Sequence, residues 1–161
     1  AVDELDFLLA CTRCDKCIEA CPHGVLFELP ARTGLQAAGT PAMDLLNRGC
    51  HLCRDWPCVT ACEADALKLP GQGDGSPPAA PKLARVRIDP EICLPYSGPE
   101  CGACADSCPV PGALEWEGGL RPVINEERCT GCALCREACI MEPKAVEVSA
   151  FIPEEGMAEA P

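Results

Sequence analysis

Cys11-Thr12-Arg13-Cys14-Asp15-Lys16-Cys17-Ile18-Glu19-Ala20-Cys21-Pro22 is the stretch from which the rest of the chain is read. Its spacing, C-x2-C-x2-C-x3-C-P, is one with which bacterial proteins hold 4Fe–4S cubanes. Three thiolates two residues apart wrap one cubane on an irregular loop, and the fourth points away to a neighbouring cubane. The same arithmetic recurs three times. Cys50, Cys53, Cys58 and Cys62 read C-x2-C-x4-C-x3-C. Cys93, Cys101, Cys104 and Cys108 read C-x7-C-x2-C-x3-C-P. Cys129, Cys132, Cys135 and Cys139 return to the first spacing, with Ile140 in place of the proline. The sixteen cysteines are used up, four to a group, as candidate ligands of four 4Fe–4S clusters.

Two other cysteine chemistries fit poorly. Zinc ribbons use pairs of C-x2-C across a long gap, not triads followed by x3. Disulfides would crowd three thiols into one loop and leave odd partners. Composition agrees with clusters: of 161 residues only 4% are aromatic, so few large side chains fill a core and ligand bonds must hold the fold. The formal net charge is −12. Four clusters at about −2 each bring it to roughly −20. Such a surface repels nucleic acid and anionic membranes and docks on basic patches of a protein partner. No apolar run is long enough to span a membrane, so no direct membrane insertion is expected. Neither a signal peptide nor a twin-arginine leader is seen.

A short apolar stretch follows each cysteine group and reads as a strand: Val25–Leu29, Ala66–Leu69, Ala113–Trp116 and Ala145–Val148. Ala84–Ile88 and Arg121–Ile124 are two more. Glu117-Gly118-Gly119 predicts a tight hairpin between Trp116 and Arg121. The Pro- and Gly-rich stretch Leu69–Pro81 reads as a surface loop closing a longer hairpin onto Ala84–Ile88. Between the third and fourth cysteine of each group there is room for about one helical turn. The expected fold class is α+β: duplicated two-cluster ferredoxin-like lobes, with small hairpins and short helices around four clusters. Residues 1–148 form one four-cluster domain in this reading, and 149–161 an extended acidic tail.

Groups one and four share the regular spacing, and groups two and three the expanded one. That favours a nested arrangement, with lobe A from about 1–30 plus 121–148 and lobe B from about 40–120. The ligand sets would be Cys11, Cys14, Cys17 with Cys139; Cys129, Cys132, Cys135 with Cys21; Cys50, Cys53, Cys58 with Cys108; and Cys93, Cys101, Cys104 with Cys62. The alternative is sequential, pairing group one with two and three with four.

Phe7-Leu8-Leu9-Ala10-Cys11-Thr12-Arg13-Cys14 resembles the entry to the first cluster of the NapG/MauM group of four-cluster ferredoxins. Gly39-Thr40-Pro41 followed by Cys50-His51-Leu52-Cys53-Arg54-Asp55-Trp56-Pro57-Cys58 resembles that group's second motif. Cys93-Leu94 with its long gap, and Cys129-Thr130-Gly131-Cys132 through Cys139-Ile140, resemble the third and fourth. The resemblance implies an electron relay without catalysis of its own, accessory to periplasmic nitrate reductase or methylamine dehydrogenase systems. The nested pairing also resembles iron–sulfur subunits of molybdenum and tungsten oxidoreductases. Two departures stand out: no twin-arginine leader, and Glu63 where a proline commonly follows the fourth cysteine.

The expected function is therefore an electron-transfer subunit in a hetero-oligomer. Its partner would be a catalytic molybdenum, tungsten or flavin subunit, as in an aldehyde oxidoreductase, or a membrane quinol-oxidising subunit. A bacterial cytoplasmic location is expected, with the periplasm as the alternative. An iron–sulfur redox sensor and a zinc-binding scaffold are the competing functions. His51 inside a cysteine triad, and His23 after Cys21-Pro22, are candidate donors to a cluster sulfur or plain surface side chains. Trp56 and Tyr96 lie in the expanded loops, where they would shield clusters from water. No nucleophile–base pair, phosphate loop or flavin site is evident in the sequence.

Overall fold

Cysteine spacing leaves little chain between ligands, and every element is accordingly short. A computed structural model describes residues 4–71 and 80–151. In chain order, α1 (Glu4–Ala10) leads into the first cysteine loop, then α2 (Lys16–Ala20) and β1 (Leu26–Glu28). A 3₁₀ turn (Ala31–Thr33) precedes β2 (Pro41–Met43), and α3 (Pro57–Thr60) lies in the second group. β3 (Ala84–Ile88), α4 (Leu94–Ser97), a 3₁₀ turn (Ala105–Ser107), β4 (Leu114–Glu117) and β5 (Arg121–Ile124) follow. α5 (Leu134–Ala138) and β6 (Val146–Ala150) complete the order. Each cysteine group thus has its one helical turn between the third and fourth cysteine. Among the described residues no helix is long and apolar enough to cross a membrane.

The strands form three antiparallel pairs, making a mixed α/β structure. β4 and β5 make the expected hairpin, with Trp116 opposite Pro122 and Glu117 opposite Arg121. Gly118 and Gly119 take positive φ at its tip, the conformation glycine adopts most cheaply. β1 pairs with β2, a strand the sequence reading lacked. β3 pairs not with Ala66–Leu69 but with β6, Val86 opposite Val148 and Ile88 opposite Val146. Ala66–Leu69 is irregular. Ala66 and Leu67 are nonetheless drawn inward, Ala66 buried and Leu67 packed against the core, while β3 and β6 join through Val86 and Val146, both buried. Ser149 and Ala150, expected in the tail, belong to β6. The rest of the tail from 152 on, and the loop over 72–79, lie outside the described residues.

The core is small and partly made of thiols. Cys17, Cys50 and Cys132 cluster with Val25, Leu26, Leu45, Ala84 and Ala133. Three contacts tie the second cysteine group and the residues before it to the last one, and a fourth ties Leu83, just before β3, to that last group. The Cys50 N–H donates to the Cys132 carbonyl at 2.7 Å, and the Leu83 N–H to the Thr130 carbonyl at 2.7 Å. The Gly49 N–H donates to the Glu137 carboxylate at 2.7 Å, and the Arg136 guanidinium to the Leu46 carbonyl at 2.8 Å.

Candidate metal centres

The cysteine loops share an unusual backbone. Arg13, Leu52 and Gly131, each just before the second cysteine of its group, have φ of +55°, +48° and +77°. Asp15, Trp56 and Ala133, two residues before the third cysteine, have φ of +59°, +45° and +63°. Left-handed residues other than glycine cost about 1–2 kcal/mol each. Alternating them with right-handed ones turns successive N–H groups to one side, into a concavity that binds anions. The thiols receive those donors. The Gly131 N–H reaches Cys129 Sγ at 3.4 Å. The Lys16 N–H holds the exposed Cys14 thiol below its ordinary value. Group three departs from this pattern, because its long gap folds instead as α4.

Four thiols gather at each of two cavities in the C-terminal half. Cys93, Cys101, Cys104 and Cys139 line one, with Ile88, Pro95 and Val146. Cys108, Cys129, Cys132 and Cys135 line the other, with Val86, Ala113 and Ile124. Burial pushes Cys104 up to about 11, and its neighbours Cys93, Cys101 and Cys139 add to the push. Burial pushes Cys135 up to about 12, with Cys132, Cys129, Cys104 and Cys108 close by. In the N-terminal half burial raises Cys17, with Cys62 and Cys11 as the thiol neighbours. Burial likewise takes Cys58 up to about 11, beside Cys50 and Cys21.

These groupings differ from the nested expectation. Cys139 is brought to the Cys93 triad rather than to Cys11, Cys14 and Cys17, and Cys108 to the Cys129 triad. Cys62 meets Cys17, and Cys21 meets Cys50 and Cys58. The physical reason is local: α2 packs on α3, and α5 on the 3₁₀ turn over Ala105–Ser107. Each helical turn presents its fourth cysteine across that contact. Glu63 has a place in the same contact, since its carboxylate pairs with Lys16 Nζ at 2.5 Å on the surface.

The donor sets suit a multi-iron cluster better than a single ion. All sixteen cysteines are free thiols. Among the described residues no three Cys, His, Asp or Glu side chains converge tightly enough to hold one metal ion, whereas zinc needs sulfurs about 2.3 Å from a common centre. Thr130 Oγ1 is buried and makes no hydrogen bond, yet it lies beside Cys132 and favours its thiolate. A cluster sulfide would give that hydroxyl an acceptor.

Several flanking residues behave differently from the sequence reading. His23 and His51 stack on each other, with ring centroids 3.5 Å apart and planes 9° from parallel. The Tyr96 hydroxyl donates to the Pro122 carbonyl at 2.9 Å and fastens α4 to β5. Lys82 Nζ donates to the Cys129 carbonyl at 2.5 Å, and Lys144 Nζ to the Cys139 carbonyl. Nothing in the sequence marks these two lysines, because carbonyl contacts across 47 and 5 residues leave no spacing signature.

A family model described as a 4Fe-4S dicluster domain matches residues 85–140, and one described as a 4Fe-4S binding domain matches residues 8–34. The methylamine utilization ferredoxin-type protein MauM of Paracoccus denitrificans is 32% identical over 158 residues, spanning 92% of this chain and 68% of that protein. The ferredoxin-type protein NapG of Escherichia coli is 33% identical over 159 residues, spanning 92% and 67%. The chain belongs to the MauM and NapG family of ferredoxin-type proteins. It is accordingly an iron–sulfur, ferredoxin-type electron-transfer protein. The ferredoxin-type protein NapF of Escherichia coli is also similar, 32% identical over 141 residues, spanning 85% of this chain and 75% of that one. No solved structure matches the chain. The dicluster match contains cysteine groups three and four together, in keeping with the two cavities that they share.

Proposed function

We propose that the chain holds four 4Fe–4S clusters and relays electrons along them, with no catalysis of its own. The observation that carries this is the pair of four-thiol cavities, each taking three cysteines from one group and one from its neighbour. By the same exchange the ligand sets are Cys11, Cys14, Cys17 with Cys62; Cys50, Cys53, Cys58 with Cys21; Cys93, Cys101, Cys104 with Cys139; and Cys129, Cys132, Cys135 with Cys108. Two sequential lobes result, the first ending before the 72–79 loop and the second beginning after it. Each bound cubane takes up and returns one electron.

The order of the sites follows from their neighbours. The hydrogen bond from Cys50 to Cys132 joins the two inner sites. The Cys14 site and the Cys93 site then lie at the ends. Cys14 is exposed, and Ile140, next to Cys139, is 68% exposed. Surface access at both ends supports a role between two redox partners in a hetero-oligomer. The partner class is a catalytic molybdenum, tungsten or flavin subunit, or a quinol-oxidising one, presenting a basic patch to this acidic chain.

Iron and sulfide analysis of anaerobically purified protein tests the count, with about sixteen of each expected per chain. A count near eight would refute four clusters. Cys108→Ala tests the pairing: anomalous iron maps should lose the cluster at Cys129, Cys132 and Cys135. Loss of the cluster at Cys50, Cys53 and Cys58 would restore the nested arrangement.

A further inference from the structure

We propose that Lys82 and Lys144 set the reduction potentials of the two sites in the C-terminal half, each holding a fixed positive charge against a ligand cysteine's carbonyl. This rests on the cluster reading given above. The Lys82 ammonium is anchored three ways. It donates to the Glu126 carbonyl at 2.7 Å and to the Cys129 carbonyl at 2.5 Å, and it lies 5.9 Å from the Phe151 ring centroid. Among the described residues no carboxylate pairs with it, and both oxygen partners are backbone. Lys144 donates to the Cys139 carbonyl in the same manner. Cys129 and Cys139 belong to different sites, so each C-terminal site has one such lysine.

The N-terminal half is built differently. Lys16, between Cys14 and Cys17, is neutralised by Glu63 at 2.5 Å. Arg13 spends its guanidinium on the Ala38 and Gln36 carbonyls. Arg48 donates to the His23 carbonyl at 3.3 Å. Among the described residues no lysine or arginine of that half donates to a cysteine carbonyl.

The difference matters because a reduced cluster carries one more negative charge than an oxidised one. Val86, Ala113 and Ile124 line one C-terminal site and Ile88, Pro95 and Val146 the other, so an added electron enters apolar surroundings that penalise it. Left alone, that penalty would make the inner site a barrier in a relay. A fixed cation within a residue of the ligands favours the reduced form. Thr130, whose buried hydroxyl has no partner, acts in the same direction at the Lys82 site. The lysines therefore offset that penalty at both C-terminal sites. Electron passage between neighbouring sites oxidises one by one electron and reduces the next by one, and requires no proton.

EPR-monitored redox titration of the holoprotein tests this with Lys82→Met, Lys144→Met, Lys82→Arg and Lys144→Arg, and the exposed Lys68→Gln as control. Each Met variant should make one cluster at least tenfold harder to reduce, a shift of about 59 mV for one electron. The two variants should affect different clusters. Both Arg variants and the control should keep the native potentials. Unchanged potentials in the Met variants with four clusters intact would overturn the inference while leaving the relay standing. Loss of cluster iron in Lys82→Met, or an Arg variant shifted as far as the Met one, would also overturn it, since the lysine would then be holding structure rather than charge. A native protein with no clusters would instead refute the cluster reading itself.

Discussion

Gly131→Ala should cost this protein its last cysteine loop. Gly131 stands between Thr130 and Cys132 with φ at +77°. A methyl group there would lie 2.1 Å from the Ala84 carbonyl oxygen and 2.4 Å from the Ala84 nitrogen. Both are backbone atoms of β3, so no side-chain rotation relieves the clash, and restoring ordinary contact means moving the strand by more than an ångström. That shift breaks the hydrogen bond from Leu83 to the Thr130 carbonyl and loosens Gly131 from Cys129 Sγ. Left-handed strain contributes about 1–2 kcal/mol, overpacking about 1–3, and the lost hydrogen bond about 1, so about 3–6 kcal/mol in all. Gly34 is the control. It has φ of +109° and nothing within 4 Å of an added methyl, so Gly34→Ala carries strain alone, about 1–2 kcal/mol. Anaerobic thermal unfolding of the holoprotein, with iron counted before and after, separates the two. Gly131→Ala should lower Tm by about 10 °C or more and release iron from the Cys129 site, while Gly34→Ala lowers Tm by a few degrees. Equal Tm and equal iron in the two variants would refute the close approach of β3 to the loop.

Removing iron should leave the chain largely unfolded, because ligand bonds replace a core of large side chains. A thiol raised by folding keeps a proton that the unfolded chain gives up. Folding stability from Cys58, Cys104 and Cys135 is thus fully present below the ordinary thiol pKa and is lost as pH rises toward about 11 and about 12. An unfolded empty chain shows none of that spread and ionises its thiols together near about 8.5. Thiolate absorbance spread up to pH 12, alongside a cooperative melt, would show the empty fold standing by itself. With four clusters bound as proposed, the one at the exposed Cys14 should be the first taken by a chelator, and the one at Cys132, which is 6% exposed, the last. Loss timed by EPR in the reverse order would contradict the placement of these thiols.

The cysteine spacing and the short apolar runs around it made the helical turns and five of the six described strands legible, since a cubane-binding loop dictates where a turn can begin. It could not say which strand β3 would choose. Ala66–Leu69 and Val146–Ala150 are both short apolar runs, and only packing showed that Val86 belongs opposite Val148. The pairing read from spacing differs from the thiol groupings in the structure for a related reason. Similar spacing in groups one and four reflects similar loop shape, whereas the exchange of fourth cysteines follows helix contacts such as α2 on α3. Spacing along the chain carries no record of those contacts. The same holds for Lys82, whose meaning lies in a carbonyl 47 residues away.

Core and relay are built from the same atoms in this fold. Cys17, Cys50 and Cys132 pack with Val25, Leu45 and Ala133 in one buried cluster. The Cys50 N–H to Cys132 carbonyl bond runs through that cluster, so in the proposed relay this junction would also be the step between the two inner sites. A separate apolar core would have needed large side chains between the lobes, and every added layer would have lengthened the path that an electron must cross. Small residues do the reverse. Gly49 lets the chain approach within 2.8 Å, from its missing Cβ position, of the Leu134 Cα, and Gly131 does the same for β3. The scarcity of aromatics and these two glycines act together: Gly49 brings the second cysteine loop against the last one, and Gly131 brings that last loop against β3. Mutations that enlarge this junction should fail twice, in stability through overpacking and in transfer through separation of the inner sites, whereas changes at the exposed Leu35 or Leu120 should do neither.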